Sequence, residues 1–165
     1  ELADTVLEHP ELTGMGTTMT MVCLLDHDLL LAHVGDSRAY RFRDDALVRL
    51  TQDQTMAQAL ADAGVIAAEE VKSHRQRHIL TGALGAKSGA PRVELGRHDL
   101  RDGDRVLVAS DGLTEMVPDE AIAQILRQES DPAAAAAALV AAALDAGGVD
   151  NVTVLVADCR IRAEA

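Results

Sequence analysis

Aromatic side chains are nearly absent: the 165 residues include one Tyr, one Phe and no Trp. Proteins that grip single-stranded nucleic acid stack bases on aromatic rings, and that mode is excluded. Cations are scarce too, with 15 Lys and Arg against 27 Asp and Glu, a net charge of −12. Nucleic-acid backbones and anionic lipid surfaces both demand clustered cations, so the expected partners include no nucleic acid and no membrane. No apolar run reaches the length of a membrane-spanning helix. The longest, Ala133 to Leu144, is mostly alanine and reads as an ordinary helix. The first residues, Glu1-Leu2-Ala3-Asp4, lack both an initiator Met and the pattern of a signal peptide, as expected of a fragment or a processed chain. Cysteine is rare. Cys23 and Cys159 each lie in an apolar, strand-like run outside any CxxC spacing. The expectation is two buried free thiols in a reducing, cytoplasmic setting.

What is present suffices for one domain, residues 1–165, with 48% apolar residues. The core must be built from Leu, Val, Ile, Ala and Met, and alanine makes it shallower than the percentage implies. Met19–Leu25, Leu29–Val34 and Ala39–Arg43 read as three strands of an antiparallel meander, with turns at Asp26-His27-Asp28 and Gly35-Asp36-Ser37. Met56–Ala63 reads as a helix stopped by Gly64, and Ala67–His78 as a charged, helix-prone, exposed segment. Leu84–Arg92 reads as loop and Arg105–Ala109 as a short buried strand. Helices open at Pro118 and at Asp131-Pro132, the second ending at Gly147-Gly148. Asn151–Ala157 reads as the last strand. This order is not a βαβ alternation and predicts an α+β domain built on antiparallel sheet.

Asp36, Asp111 and Asp150 share one setting, each beside a glycine-rich turn at the edge of an apolar strand. Carboxylates are hard donors suited to Mg²⁺ or Mn²⁺, and a converging set would need a cation to relieve its repulsion. Each alone is an ordinary turn residue; the weight lies in the combination.

The combination also carries a resemblance. Gly14-Met15-Gly16-Thr17-Thr18, Val34-Gly35-Asp36-Ser37-Arg38-Ala39-Tyr40, Leu50-Thr51-Gln52-Asp53-Gln54, Ala109-Ser110-Asp111-Gly112-Leu113-Thr114 and Asp150-Asn151-Val152-Thr153-Val154 occur in that order. From Glu11 to Val156 the chain resembles the bacterial branch of the type 2C metal-dependent serine/threonine protein phosphatases. The resemblance implies an antiparallel β-sandwich flanked by helices. It implies hydrolysis of phosphoserine and phosphothreonine in proteins with two Mn²⁺ or Mg²⁺ ions, and a third ion in bacterial members. Asp111 and Asp150 would bind the second metal, and Asp36 with Asp111 the third. Residues 64–85 would form the family's flap beside the site. Implied partners are phosphorylated proteins, among them a serine/threonine kinase and its substrates.

The family's Arg-x-x-Asn-x-Asp and Asp-Gly-Met-Gly-Gly segments do not occur in these residues. The chain is therefore expected to be N-terminally truncated, lacking the bridging Asp and the phosphate-binding Arg. Alone, it is expected to bind Mn²⁺ weakly, turn over little and self-associate. A phosphoprotein-binding module without turnover is the alternative function. Gln54 stands where the family usually has His. His74 and His78, four apart without an HExxH pattern, read as a solvated flap face, and His33 as a packed core histidine.

Overall fold

Within Asp28–Val34, Leu29, Leu31 and His33 are buried together on one side, the period-two pattern of a strand with a covered face. The computed structural model describes residues 2–85 and 91–161. Helix α1 (Leu2–Glu8) and a 3-10 turn (Pro10–Leu12) precede strands β1 (Met19–Leu25), β2 (Asp28–Val34), β3 (Arg38–Arg43) and β4 (Ala46–Arg49). Helix α2 (Met56–Asp62) and a 3-10 segment (Ala68–Ser73) lead to β5 (Glu94–Asp99) and β6 (Arg105–Ala109). Helices α3 (Asp111–Thr114), α4 (Asp119–Gln128) and α5 (Pro132–Asp145) then bring the chain to β7 (Val154–Asp158).

The strands form two antiparallel sheets, ordered β1-β2-β5 and β4-β3-β6-β7. One apolar cluster lies between them, with Leu29 and Leu31 of β2 against Ala39 of β3 and Val106 of β6. The opposite faces of β3 and β6 present Tyr40, Leu107 and Ala109 to the helices, where Leu113, Ile122, Leu126, Ala135, Leu139 and Ala143 complete a second cluster. In α5 the buried residues recur every four positions, and two of the three are alanines, which lets the helix lie close to the sheet. Asp131 caps that helix by accepting from the Ala134 N–H at 2.8 Å. The α+β class with antiparallel sheets is thus as expected. Among the described residues the helices cover the four-stranded sheet, while the outer face of the other sheet leaves Met21, Leu25, Leu30 and Leu95 exposed.

Several expectations are corrected. The first three strands are not one meander. β1 and β2 pair, but β3 joins the other sheet beside β4 and β6. Gly35-Asp36-Ser37 is a crossover between sheets. Gly35 makes it with φ of 114°, and a side chain there would run into Thr18. β4 and β5 were not expected. The charged segment 67–78 contains only the 3-10 turn Ala68–Ser73, and the last strand begins at Val154, not Asn151. Cys159 is buried, but Cys23 is exposed on β1; both are free. The expected loop Leu84–Arg92 lies partly outside the described residues, which omit 86–90. No helix among the described residues is long and apolar enough to cross a membrane.

Candidate active site

Sheet register brings two of the three aspartates together. In the β3–β6 pair the last partners at this end are Arg38 and Ala109. Asp36 lies two residues before Arg38 and Asp111 two residues beyond Ala109, so the antiparallel register carries them toward each other. The electrostatics agree. Burial pushes the Asp36 carboxyl up to about 6, and the neighbouring charges of Asp111 and Asp53 push the same way.

The third aspartate arrives from β7. Ala109 pairs with Val154, and the loop before that strand folds back over the Asp111 turn. Ser110 joins the two. Its N–H donates to the Thr153 carbonyl at 3.0 Å, its hydroxyl donates to the Asn151 carbonyl at 3.2 Å, and the same oxygen accepts the Thr153 N–H at 3.0 Å. Gly112 is required here because a Cβ would overlap the Asn151 carbonyl. Asp111 accepts the Gly112 N–H at 2.9 Å and Asp150 the Asn151 N–H at 2.7 Å, which sets both carboxylates. Asp111 is half-buried and Asp150 exposed. The described residues contain no group of three or more His, Cys, Asp or Glu placed to hold a metal ion. The structure therefore assembles Asp36 with Asp111, and seats Asp150 on the adjoining loop outside that pair.

Residues without an assigned role in the sequence brace the site. Arg38 grips Asp53 through both ends of its guanidinium, at 3.1 and 2.7 Å, and Arg49 adds a short contact to the same carboxylate. Tyr40, fully buried, donates to Asp119 at 3.3 Å. The Gln52-Asp53-Gln54 loop is tied to the crossover. The Gln54 N–H donates to the Gly35 carbonyl at 2.7 Å, and its Oε1 accepts the Gly35 N–H at 3.2 Å. Gln54 is thus a backbone brace for the Asp36 segment, which explains how Gln serves at a position where His is usual. His33 is buried as expected, with Nδ1 at 2.8 Å from Thr20 Oγ1 and Nε2 at 3.2 Å from the Gln52 carbonyl. His74 and His78 form no metal grouping among the described residues; His78 lies 3.8 Å from Glu115 instead.

The raised Asp36 carboxyl makes stability depend on pH. Its folded value of about 6 lies above the unfolded 3.8. Protonation is then tighter in the fold, so stability falls as pH rises from about 4 to about 6 and is flat above. Asp36→Asn, measured by urea unfolding with a chelator present, should stabilise the protein by about 1–3 kcal/mol near pH 8 and leave it unchanged near pH 4. Equal effects at both pH values would show that the carboxyl is not perturbed.

The fold is a two-sheet antiparallel α+β domain that carries paired carboxylates at adjoining strand tips. The Protein phosphatase 2C family model matches residues 3–147, and the chain belongs to that family. Serine/threonine protein phosphatase PstP of Mycobacterium tuberculosis is 43% identical over 157 residues, covering 95% of this chain and 30% of its own length. Protein phosphatase PhpP of Streptococcus pneumoniae is 36% identical over 141 residues, 86% of this chain and 57% of its own. The crystal structure of the Mycobacterium tuberculosis phosphatase superposes with a TM-score of 0.89, covering 96% of this chain and 66% of that one. The PstP catalytic domain in complex with two manganese ions gives 0.82 at 41% identity, covering 95% and 64%. The chain thus spans under two thirds of the length of these relatives.

Proposed function

We propose that the protein hydrolyses phosphoserine and phosphothreonine in other proteins, using Mn²⁺ or Mg²⁺. The observation that carries the reading is the register-opposed pair Asp36 and Asp111, with the Asp36 carboxyl raised to about 6. A buried, mutually repelling carboxylate pair gains most from a hard divalent cation, so these donors fit such an ion. Asp111 and Asp150 would hold one ion, and Asp36 with Asp111 a further, weaker one. Divalent ions bound there would screen the dianionic ester and supply Lewis acidity.

The protein's own contribution is positioning. Ser110 and Gly112 lock the Asp111 turn to the Asp150 loop, so the two carboxylates are fixed relative to each other. Gln54 and the Arg38–Asp53 pair hold the crossover that carries Asp36. Rigid donors on strand ends need little rearrangement when an ion or ester arrives. The names of the relatives and the manganese-bound PstP domain support the same substrates and ions. Phosphorylated proteins, among them a serine/threonine kinase and its targets, are the partners in this reading.

A second reading is a module that binds phosphoproteins without turnover. One assay separates the two. The whole protein is incubated with a phosphothreonine peptide and Mn²⁺, with and without chelator. Phosphate release that the chelator abolishes is the expected result. Peptide binding without release would establish the second reading.

A further inference from the structure

Segment 64–85 leaves a cleft of about 350 Å³ between itself and the body of the domain. The flap contributes Val71, Lys72 and Arg77, and the body contributes Arg38, Arg49 and Asp53. The residues that follow α3, among them Glu115 and Asp119, close the third side. The cleft adjoins the candidate site in sequence on two sides, since Arg38 is two residues past Asp36 and Glu115 four past Asp111.

We propose that this cleft is a subsite for an acidic side chain flanking the phosphorylated residue of the substrate, an inference that rests on the phosphatase reading. Charge is the first support. The protein as a whole carries −12, yet this cleft is lined by the four cations Arg38, Arg49, Lys72 and Arg77 against the three carboxylates Asp53, Glu115 and Asp119. The carboxylates are also engaged. Asp53 is shared by Arg38 and Arg49, Glu115 takes Arg77 at 3.3 Å, and Asp119 accepts the Tyr40 hydroxyl. Lys72, exposed on the flap, forms no ion pair among the described residues, which leaves its ammonium free.

Unused donor capacity is the second support. Arg49 Nε is buried and has no acceptor. A buried donor without a partner gains more from a ligand oxygen than one already paired. A carboxylate entering between Lys72 and Arg49 would meet a mobile ammonium on one side and a fixed guanidinium on the other. An extended peptide advances about 3.3–3.6 Å per residue, so the positions two and three residues from the phosphoresidue are the ones to vary.

The test uses the whole protein and three phosphothreonine peptides of one sequence, with Glu, Ala or Lys at the second and third positions on either side. Binding is read by fluorescence anisotropy and turnover by phosphate release. The Glu peptide should bind roughly tenfold more tightly than the Lys peptide at low salt, and the gap should shrink as salt is raised. Lys72→Glu should abolish or reverse the preference, and Arg49→Gln should reduce it. Equal binding of all three peptides, no binding of any, or a preference that both variants leave intact would overturn the subsite. Preference without phosphate release would remove the phosphatase reading and keep the subsite, while release without preference would do the opposite.

Discussion

Replacing Asp111 by Asn should lower Mn²⁺-dependent hydrolysis of a phosphothreonine peptide by roughly 10²-fold or more, with the fold intact. Asp111 is the carboxylate whose turn is tied to the segments bearing the other two. The β3–β6 register opposes it to Asp36, and Ser110 and Gly112 fasten its turn to the loop that carries Asp150. Asn keeps the shape and can still accept the Gly112 N–H that Asp111 accepts at 2.9 Å. What it removes is the negative charge, which is the property a divalent cation needs. The same substitution removes a charge that raises the Asp36 carboxyl, so Asp36 should titrate lower in the variant. Circular dichroism and the thermal midpoint should be near wild type while turnover collapses. Near-wild-type turnover would place the ion elsewhere.

Arg105→Ala should destabilise the protein by about 3–5 kcal/mol. Arg105 is 7% exposed at the end of β6 remote from the candidate site. Its guanidinium donates to Asp158 of β7 at 2.6 and 3.1 Å. It also donates to the carbonyls of Leu126, Glu129 and Ser130 at 2.9, 2.5 and 2.7 Å. One side chain therefore joins two strands to the C-terminal end of α4, where unpaired carbonyls need donors and the dipole favours a cation. Alanine strands those carbonyls and leaves the Asp158 carboxylate without its partner. Arg105→Lys should recover only part of the loss, because an ammonium cannot reach all the acceptors that the planar fork spans. Urea unfolding gives the magnitude; a loss below about 1 kcal/mol would show that the network is replaceable by water.

The elements that were legible are those whose side chains advertise burial. β6 is buried along most of its length and β2 buries a full face, so both stand out as apolar runs. The β3–β4 hairpin did not, because Asp44-Asp45 makes its turn with positive φ at both residues in place of the usual Asn-Gly. β5 hides for another reason. Its inward residues are Glu94, Gly96 and His98, so no apolar alternation marks it. The crossover at Gly35 looks like any hairpin turn, since turn residues do not say which sheet the next strand joins.

The same logic applies to the site. Glycine-flanked aspartates at strand ends pointed to Asp36, Asp111 and Asp150, but which of them face each other is a matter of register. The register that matters is that of β3 against β6, two strands far apart in the chain. Arg38 and Asp53 stand 15 positions apart, so their ion pair exists only once β3 and the loop after β4 are folded together. Gln54 is instructive in the same way. Its role appears only when its side-chain oxygen is seen accepting the Gly35 N–H while its backbone N–H donates to the Gly35 carbonyl.

In the proposed function the carboxylates centred on Asp111 hold a divalent cation. Calorimetric titration of Mn²⁺ into the whole protein and into Asp111→Asn, at a pH above the Asp36 value of about 6, tests it most directly. Saturable binding by the wild type, lost or weakened by at least about tenfold in the variant, is the predicted result. Superimposable isotherms from the two proteins would contradict it.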